Sequence, residues 1–525
     1  MTVETMRREI DRCDIQAIVN TAFASLNAAR YMLLRVGDPN TARQWLRGLA
    51  PANLGKKHGK EAYQIAFTAA GLRALGVKDG ILKSFSPEFV EGMAGSENRS
   101  LRLGDTGANA PANWSWGVGE TEPHILLILF SCAGHIETFA EGMLHQAQAA
   151  GLSLIEMLAD SDMGGFEPFG FKDGISQPTF DWDRPRTPGT RADRDYTNLL
   201  ALGELLLGYR NEYGLLTERP LLAADENNAG ILPKASPDSH DLGLNGSYLV
   251  YRQLAQDVRG FWQWVATEAK RCKVPMNELA EAMLGRKLSG SPLADLEVNR
   301  PIPGISSRDS GTNGFLFDTD PAGLSCPVGA HIRRANPRTG DAPGGRQGPL
   351  DNLLVTLGLT TRRNHGATSS TLPWPRNTTI WPFARPEDDA VASARFHRIL
   401  RRGREYGLQI DRTEALDPAT SDPNSGLHFV CLNANIARQF EFVQGAWIAS
   451  AKFAALTGEQ DPLLGNREPF PTPPIATPPQ RTDGFSRPGA PPQCRHATGL
   501  PQFVTVRGGA YFFLPGLTAL KWIAS

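Results

Sequence analysis

The chain is poor in cysteine, and its cysteines are not grouped. Only six occur among 525 residues, and no two of them form a Cys-x-x-Cys pair. Zinc and iron–sulfur sites use closely spaced cysteines, and small secreted proteins use dense disulfide frameworks. The sequence therefore predicts no such metal site, no disulfide framework and a reducing compartment. The six are Cys13, Cys132, Cys272, Cys326, Cys431 and Cys494.

Long apolar runs and an excess of charge of either sign are also missing. No uninterrupted apolar segment approaches the roughly 20 residues that a membrane helix needs. The 54 lysines and arginines nearly balance the 55 aspartates and glutamates, so charge gives no reason to expect binding to nucleic acid or to a membrane surface. Residues 1–13 are polar and lack the apolar core of a secretory signal. We expect a cytoplasmic globular protein whose oligomeric state the sequence leaves open.

Glycine and proline are plentiful, and they separate two similar series of strands and helices. The 53 glycines and 39 prolines indicate long irregular connections. The two series predict an α+β fold of two ferredoxin-like modules, antiparallel sheets with peripheral helices, in residues 1–195 and 196–525. The first series has strands at 29–36, 63–67 and 124–131 and a helix at 136–150; the second has strands at 247–252, 398–403 and 427–434 and helices at 256–269, 275–284 and 436–448.

Two stretches fall outside these series. Residues 339–389 are rich in glycine, proline, serine and threonine, and we interpret them as a surface loop inserted into the second module. Residues 462–501 are rich in proline, which fits either a strap over the surface or a mobile tail. The chain nevertheless ends in an apolar piece, 511–515, which predicts a docked terminus.

One short loop combines glycine with a single acid. Gly170 and Gly174 enclose Asp173, and three phenylalanines and two further glycines precede it within 164–178. Glycine permits a tight turn and the close approach of another molecule. Asp-Gly is also a common turn dipeptide, so an ordinary turn explains the pattern when it is taken alone.

A second stretch places one histidine before three arginines. His331 is followed by Arg333, Arg334 and Arg338. A lone histidine is more often structural than a metal ligand, but imidazole next to cations suits an axial ligand of a porphyrin that carries carboxylates.

Together the two stretches resemble the dye-decolourising peroxidases, a family of haem peroxidases. The family's glycine-x-x-aspartate-glycine loop is matched by residues 170–174, and its proximal histidine segment is similar to that around His331. The resemblance implies one b-type haem between the two modules, with His331 as the axial ligand of the iron. It also implies hydrogen peroxide as the oxidant and organic reductants such as dyes and phenols.

The resemblance assigns the catalytic groups as well. Asp173 corresponds to the distal acid–base group, and Arg401 to the cation that favours cleavage of the O–O bond. Arg402 is the alternative to Arg401, since neighbouring residues of a strand face opposite ways and only one can face the iron. By the same alternation, Arg398 is expected to point with Arg402.

Further haem contacts follow from the resemblance alone. They are Gly174 in the loop, Leu427 and Phe429 as lining of the distal pocket, and Arg333, ahead of Arg334 and Arg338, as the partner of a haem propionate. The family usually places an aspartate or glutamate near 427–447 to accept the second N–H of the axial histidine. This chain has Asn433, Asn435 and Glu441 there, which leaves the acceptor open.

The predicted function is therefore a haem-dependent peroxidase. The alternative is a haem-binding or haem-delivery protein of the same fold without efficient turnover. Asp173 and Arg401 together favour the enzyme, because a carrier needs neither. A metal-independent hydrolase using Asp173 lacks a matching nucleophile.

Overall fold

A computed structural model describes residues 9–184, 199–294, 313, 315, 317, 320–338, 394–467 and 482–525. The predicted insertion at 339–389 and the middle of the proline-rich stretch lie outside the described residues. So does the predicted module boundary at 195, and the division into 1–195 and 196–525 stays a prediction.

One nine-stranded antiparallel sheet runs through the molecule, in the order β11-β13-β10-β16-β2-β3-β1-β4, with β12 also beside β13. The other strands form small two- and three-stranded pieces. The strands are β1 Ala28–Val36, β2 Glu61–Phe67, β3 Ile125–Ser131, β4 Leu152–Ala159, β5 Thr179–Phe180, β6 Leu199–Leu200, β7 Leu221–Ala223, β8 Lys234–Ser236, β9 Ser239–Asp241, β10 Ser247–Gln256, β11 Leu400–Arg401, β12 Arg404–Tyr406, β13 Gly426–Asn433, β14 Phe485–Ser486, β15 His496–Ala497 and β16 Val504–Leu514.

Each half of this sheet has the strand order of a ferredoxin-like module. The first half runs β4-β1-β3-β2 and the second runs β16-β10-β13-β11, so the first strand of each lies between the last and the third. The halves join where Phe513 of β16 pairs with Phe67 of β2. The predicted α+β fold with antiparallel sheets and peripheral helices is confirmed, and the two predicted sheets are continuous.

The sheet is buried on both faces, as β3 shows. All seven of its residues are buried, and successive side chains point to opposite faces of a strand. Ile125, Leu127 and Leu129 accordingly pack into one core, while Leu126, Ile128 and Phe130 pack into another.

Helices cover the sheet and line its ends. No helix in the described ranges has both the length and the apolar character needed to cross a membrane. The predicted helix at 436–448 takes the form of two π-helical segments, Ala437–Glu441 and Val443–Ile448. The α-helices among the described residues are Pro39–Arg47, Ala69–Ala74, Asp79–Leu82, Pro87–Glu91, Glu97–Leu103, Ile136–Ala149, Val258–Cys272, Met276–Leu284, His331–Ala335, Arg412–Leu416 and Leu517–Ile523.

The apolar C-terminal piece is part of a central strand rather than only a docked end. β16 pairs with β10 along its whole length and with β2 at one point. Gly508 in its middle packs against the indole of Trp116, so closely that a Cβ there would lie 2.5 Å from the ring. Glycine inside a strand marks such a close approach, and it also hid the strand from a reading of the sequence.

One expectation about cysteine was wrong. Cys272, the last residue of helix Val258–Cys272, forms a disulfide with Cys494, and their Cα atoms are 5.4 Å apart. The two cysteines are 222 residues apart in the chain, so no spacing motif announces the bond. It ties the described end of the proline-rich stretch to a core helix.

Candidate active site

A cavity lies on the face of the sheet formed by β10 and β13. Arg252, Leu254 and Gln256 of β10 and Leu427 and Phe429 of β13 line it. Arg252 pairs with Phe429 and Leu254 with Leu427 in the register of the two strands. Alternation along each strand therefore turns these side chains to one face. Leu427 and Phe429 thus lie where the resemblance expected pocket residues.

His331 lines the same cavity and is held by a buried acid. Its Nδ1 lies 2.9 Å from Oδ2 of Asp461, a residue with 0% exposed side-chain surface. Oδ1 of Asp461 accepts the backbone N–H groups of Leu463 and Leu464, each at 2.9 Å. These contacts fix both carboxylate oxygens and the plane of the imidazole.

The protonation of this pair follows from the charges around it. Burial is the strongest influence on Asp461 and alone would raise its pKa. The charge of His331 and the hydrogen bonds from His331 and Leu464 outweigh burial, so the pKa lies below its ordinary value. An ionised Asp461 can only accept, so Nδ1 of His331 donates to it, and in the neutral imidazole Nε2 is then the nitrogen with the lone pair. A neutral imidazole in this tautomer is suited to bind a metal through Nε2.

The sequence did not predict Asp461 as the partner of His331. Of the three residues considered at 427–447, Glu441 accepts from Arg99 and from the Tyr511 hydroxyl instead. Asn435 caps the backbone of Arg438. Asp461 lies outside residues 427–447, where the family resemblance places the acceptor. Its neighbours in the sequence, Pro462 and two leucines, do not by themselves predict the contact with His331.

Asp173 and Arg401 meet at the cavity. Nη1 of Arg401 lies 3.2 Å from Oδ1 of Asp173, and both side chains are about one-third exposed, at 35% and 33%. Gly170 and Gly174 have φ of +91° and +74°, a region open to glycine, and so bend the loop around Asp173. Gly174 is not among the described residues that line the cavity, but its backbone N–H bonds to Asp173.

Asp173 remains ionised because of its partners. Burial is the strongest single influence and acts to raise its pKa. The charge of Arg401 and the hydrogen bonds from Gly174 and Arg401 act together in the other direction, and the pKa of Asp173 is lowered.

The arginines near β11 show only part of the alternation expected of a strand. Arg401 and Arg402 point apart, and Nε of Arg402 donates to the carbonyl of Ile18 at 2.8 Å. Arg398 lines the cavity together with Arg401, which contradicts the expectation that it points with Arg402. The reason is that β11 contains only Leu400 and Arg401, so strand alternation does not extend back to Arg398. Burial, followed by the charge of Arg401, lowers the pKa of Arg398 to about 10.

The three arginines after His331 turn away from the cavity. Arg333 is 5% exposed and donates to the carbonyls of Cys326 and Asp320, at 2.8 Å each. Arg334 donates to Trp447 and Arg338 to Phe315, and none of the three lines the cavity in the described part of the chain. The described residues thus do not place Arg333 at the cavity, and its role as the partner of a haem propionate stays a prediction.

Other cations lie on the cavity wall instead. Arg286 and Lys172 line it together with Arg398. Arg286 donates to the carbonyl of Gly290 at 2.7 Å and lies over the Phe315 ring. Its pKa is lowered to about 10, by burial above all. These side chains are the cations that a carboxylate at this end of the cavity would meet.

The two histidines nearest these segments have structural partners. Nδ1 of His428 accepts from the Tyr251 hydroxyl at 2.9 Å and Nε2 donates to the carbonyl of Ala159 at 3.0 Å. Burial lowers the pKa of His428 to about 4. His397 lines the cavity, but its ring stacks on Phe442 at 3.7 Å and Nδ1 bonds to the carbonyl of Arg438.

Comparison with known proteins agrees with this arrangement. No family model matches the chain. It is 26% identical to dye-decolorizing peroxidase msp1 of Mycetinis scorodonius over 497 residues, which is 88% of this chain and 76% of that protein. It is 27% identical to the multifunctional dye peroxidase DyP2 of an Amycolatopsis species over 524 residues, covering 93% of this chain and 91% of the relative.

Solved structures share the fold. A fungal DyP-type peroxidase from Auricularia auricula-judae superposes with a TM-score of 0.66 at 22% identity, over 99% of this chain and 100% of that one. A dye-decolorizing peroxidase in complex with 2,6-dimethoxyphenol gives 0.66 at 20% identity, over 98% and 100%. The fold is that of the DyP-type peroxidases. With relatives of that name along most of the chain, the predicted resemblance to the dye-decolourising peroxidases is confirmed.

Proposed function

We propose that this chain is a haem peroxidase of the dye-decolourising type. It reduces hydrogen peroxide and oxidises organic reductants such as dyes and phenols in one-electron steps. One observation carries the proposal: a single cavity is lined both by an imidazole held on a buried carboxylate and by an aspartate paired with an arginine. The names of the relatives agree with an enzyme of this class.

The residues of the cavity fit a haem. His331 offers Nε2 as an axial ligand, because Asp461 takes its other nitrogen. Leu427 and Phe429 are among the apolar walls that a porphyrin ring needs. Arg398 and Arg286 take the role first expected of Arg333, since a buried carboxylate group requires a cation or a donor nearby.

We propose haem b as the form that is bound, one per chain. A haem attached through thioether bonds needs cysteines at the site. None of the described residues that line this cavity is a cysteine. A pyridine haemochrome spectrum of the extracted cofactor tests this assignment directly. The predicted cytoplasmic location and the oligomeric state stay open.

Haem and the side chains of the cavity have separate roles in the proposed reaction. Haem, if bound, would supply the redox chemistry with peroxide and with one-electron reductants. Asp173, ionised beside Arg401, accepts a proton from hydrogen peroxide and returns it to the departing oxygen. Arg401 stabilises the negative charge that develops on the peroxide oxygens. Asp461 keeps His331 in the tautomer that leaves Nε2 free and makes the imidazole more electron-rich.

A haem carrier of the same fold is the other candidate. A carrier must bind and release haem, and it needs no acid–base group next to it. The Asp173–Arg401 pair places an ionised acid and a cation at the cavity that such a protein does not use. The pair therefore favours the enzyme.

Haem loading and peroxide turnover separate the two. The chain is loaded with haem, its Soret band is titrated, and peroxide-dependent oxidation of a phenol and of an anthraquinone dye is followed. The enzyme predicts saturation at one haem per chain and turnover that drops in Asp173→Asn by about 10²–10⁴-fold. Tight haem binding with equal, slow oxidation in both proteins would establish the carrier.

A further inference from the structure

The loop that carries Asp173 contains a second acid, Glu167, that the proposed chemistry does not use. Glu167 lines the cavity six residues before Asp173. Burial is the main influence on this carboxyl and raises its pKa to about 7, against the hydrogen bonds that it accepts. Burying a carboxyl costs free energy unless it is hydrogen-bonded, so the contacts of Glu167 show what holds it there.

The carboxylate of Glu167 fills the inside of a tight turn. Oε2 accepts the backbone N–H of Phe169 at 3.1 Å, and Oε1 accepts that of Phe171 at 2.9 Å. The backbone N–H of Glu167 donates to the carbonyl of Phe171 at 2.9 Å, and Gly170 donates back to the carbonyl of Glu167 at 2.7 Å. Phe169 and Phe171 are buried, so without Glu167 their N–H groups would lose their partner away from water.

The same carboxylate ties the turn to the sheet. Nε2 of Gln256, the last residue of β10, donates to Oε2 of Glu167 at 2.7 Å. The backbone of Gln256 is itself held by the carbonyl of Ser425. The indole of Trp262 bonds to the carbonyl of Phe169 at 3.2 Å and supports the turn from helix Val258–Cys272.

The chain runs from this turn straight into Asp173. Phe166 and Lys172 pair across the base of the turn, and the N–H of Asp173 donates to the carbonyl of Gly165 at 3.0 Å. The backbone of Asp173 is thus bonded to Gly165, two residues before Glu167. A displacement of the turn therefore moves Asp173 through this backbone hydrogen bond and through Lys172, which precedes it.

We propose that Glu167 is a positioning residue for the distal acid, which holds the turn 166–172 on β10 and so keeps Asp173 opposite Arg401. The inference rests on the proposed function, since Asp173 matters only if it handles the peroxide proton. Glu167 is given no part in the proton transfer itself, and it acts through the backbone of the loop. Displacing a reacting group by about 1 Å can lower a rate by about 100-fold.

Glu167→Ala and Gln256→Leu are the test variants, with Asp38→Ala as the control. Asp38 also accepts a backbone N–H, that of Asn40 at 3.0 Å, but it lies in the first half of the molecule at the start of helix Pro39–Arg47. Gln256→Leu removes only the tie to the sheet, so it keeps the proposal testable if Glu167→Ala fails to fold.

Hydrogen–deuterium exchange of the chain without haem is the first measurement. Residues 165–173 should exchange faster in Glu167→Ala and, to a smaller degree, in Gln256→Leu. Exchange in β13 should be unchanged, and Asp38→Ala should match the wild-type chain at both places. Equal exchange of 165–173 in the wild-type chain and both test variants would overturn the proposal.

The second measurement uses the haem-loaded proteins. The rate constant for the reaction with peroxide should fall by up to about 100-fold in Glu167→Ala, while the KM for the reductant stays the same. The acid limb of that rate should move to higher pH, because a displaced Asp173 loses the influence of Arg401. A merely structural role would lower stability and leave the limb in place, which would contradict the proposal. If the wild-type protein does not react with peroxide, the proposed function fails and the exchange data still decide the role of Glu167.

Discussion

Asp173 and Arg401 are 228 residues apart in the chain, yet Nη1 of the arginine lies 3.2 Å from Oδ1 of the aspartate. Each comes from a different half of the sheet: Asp173 follows β4, and Arg401 ends β11. The pair therefore forms only when the two halves have joined. Its electrostatics set the protonation of the candidate catalytic acid.

The pH dependence of the peroxide step should show this pairing. The pKa of Asp173 is lowered, so the carboxylate persists below the ordinary aspartate value of about 3.9, well under the histidine value of about 6.5. The rate of the reaction with peroxide is measured by stopped flow, apart from the reductant steps. The acid limb of this rate should lie closer to the aspartate value than to the histidine value. The lowered pKa of Asp173 also stabilises the folded chain at pH values above the pKa that this carboxyl has in the unfolded chain. This contribution to stability is lost as the pH falls through its pKa in the folded chain.

A limb near about 6.5 that persists in Asp173→Asn would instead identify a histidine as the base. His397 would be the first to examine, because it lines the cavity. His428 is a poor candidate, since both of its ring nitrogens are bonded in the core and its pKa is lowered to about 4.

Arg401 and Arg402 allow a matched comparison of neighbours. Arg401→Lys removes a rigid fork of donors from the cavity and should slow the peroxide step by about 10²–10³-fold. Arg402→Lys changes a side chain that donates to the carbonyl of Ile18 and should leave that step within about twofold of wild type, since it is outside the cavity wall. The measurement is the second-order rate constant with peroxide. Equal losses in both variants would contradict the assignment of Arg401.

His331→Ala should abolish stoichiometric haem binding. The cavity loses the imidazole that Asp461 orients, and with it the proposed ligand of the haem iron. Haem titration followed at the Soret band is the measurement. His496→Ala is the control, because that histidine is half exposed and bonds to Ser486 away from the cavity. Full occupancy and an unchanged axial spectrum in His331→Ala would move the ligand elsewhere.

Asp461→Asn should weaken haem binding while His331 is intact. An amide can still accept from the backbone of Leu463 and Leu464, but its NH₂ group cannot accept from Nδ1 of His331. Loss of such a partner typically costs about 10- to 100-fold in metal affinity. Haem transfer to apomyoglobin measures it, together with the reduction potential, which should rise as the imidazole becomes less electron-rich.

Glu441→Gln is the control for that variant. Glu441 is the acid nearest to where the family resemblance placed the partner, but it bonds to Arg99 and Tyr511. It should leave the haem transfer rate unchanged. A faster transfer in Glu441→Gln than in Asp461→Asn would identify Glu441 as the acceptor instead.

The disulfide should contribute to stability. Cys494→Ser removes a cross-link that closes a loop of 222 residues and should lower the free energy of unfolding by about 2–4 kcal/mol. Guanidinium unfolding with and without reductant measures it, and the reductant should have no effect on the variant. Cys13→Ser, at an exposed free cysteine, is the control. Peptide mapping without reduction that finds Cys272 and Cys494 free would refute the bond.

Local patterns in the sequence were sufficient for several central strands of the fold but not for β4 or β16. The alternating and continuous apolar runs of β1, β3, β10 and β13 predict buried strands because a strand's side chains alternate between faces that are both covered here. β16 escaped prediction, since its two central glycines are explained only by close contacts with the other half of the chain, Gly508 with the indole of Trp116 and Gly509 with the sulfur of Met93.

The same division holds for the candidate site. The glycine-bounded aspartate and the histidine segment are visible in the sequence, because the types of residue and their close spacing carry the resemblance. Tertiary structure alone decided that Asp461 holds His331, that Arg333 turns to Asp320 and Cys326, and that Arg398 shares the cavity with Arg401. The outcomes for His331 and Arg333 depend on which buried carboxylate or carbonyl lies within reach, whereas Arg398 reaches the cavity because β11 is only two residues long. The partner of His331 is 130 residues away in the chain, and such a contact is set by packing that no local pattern encodes.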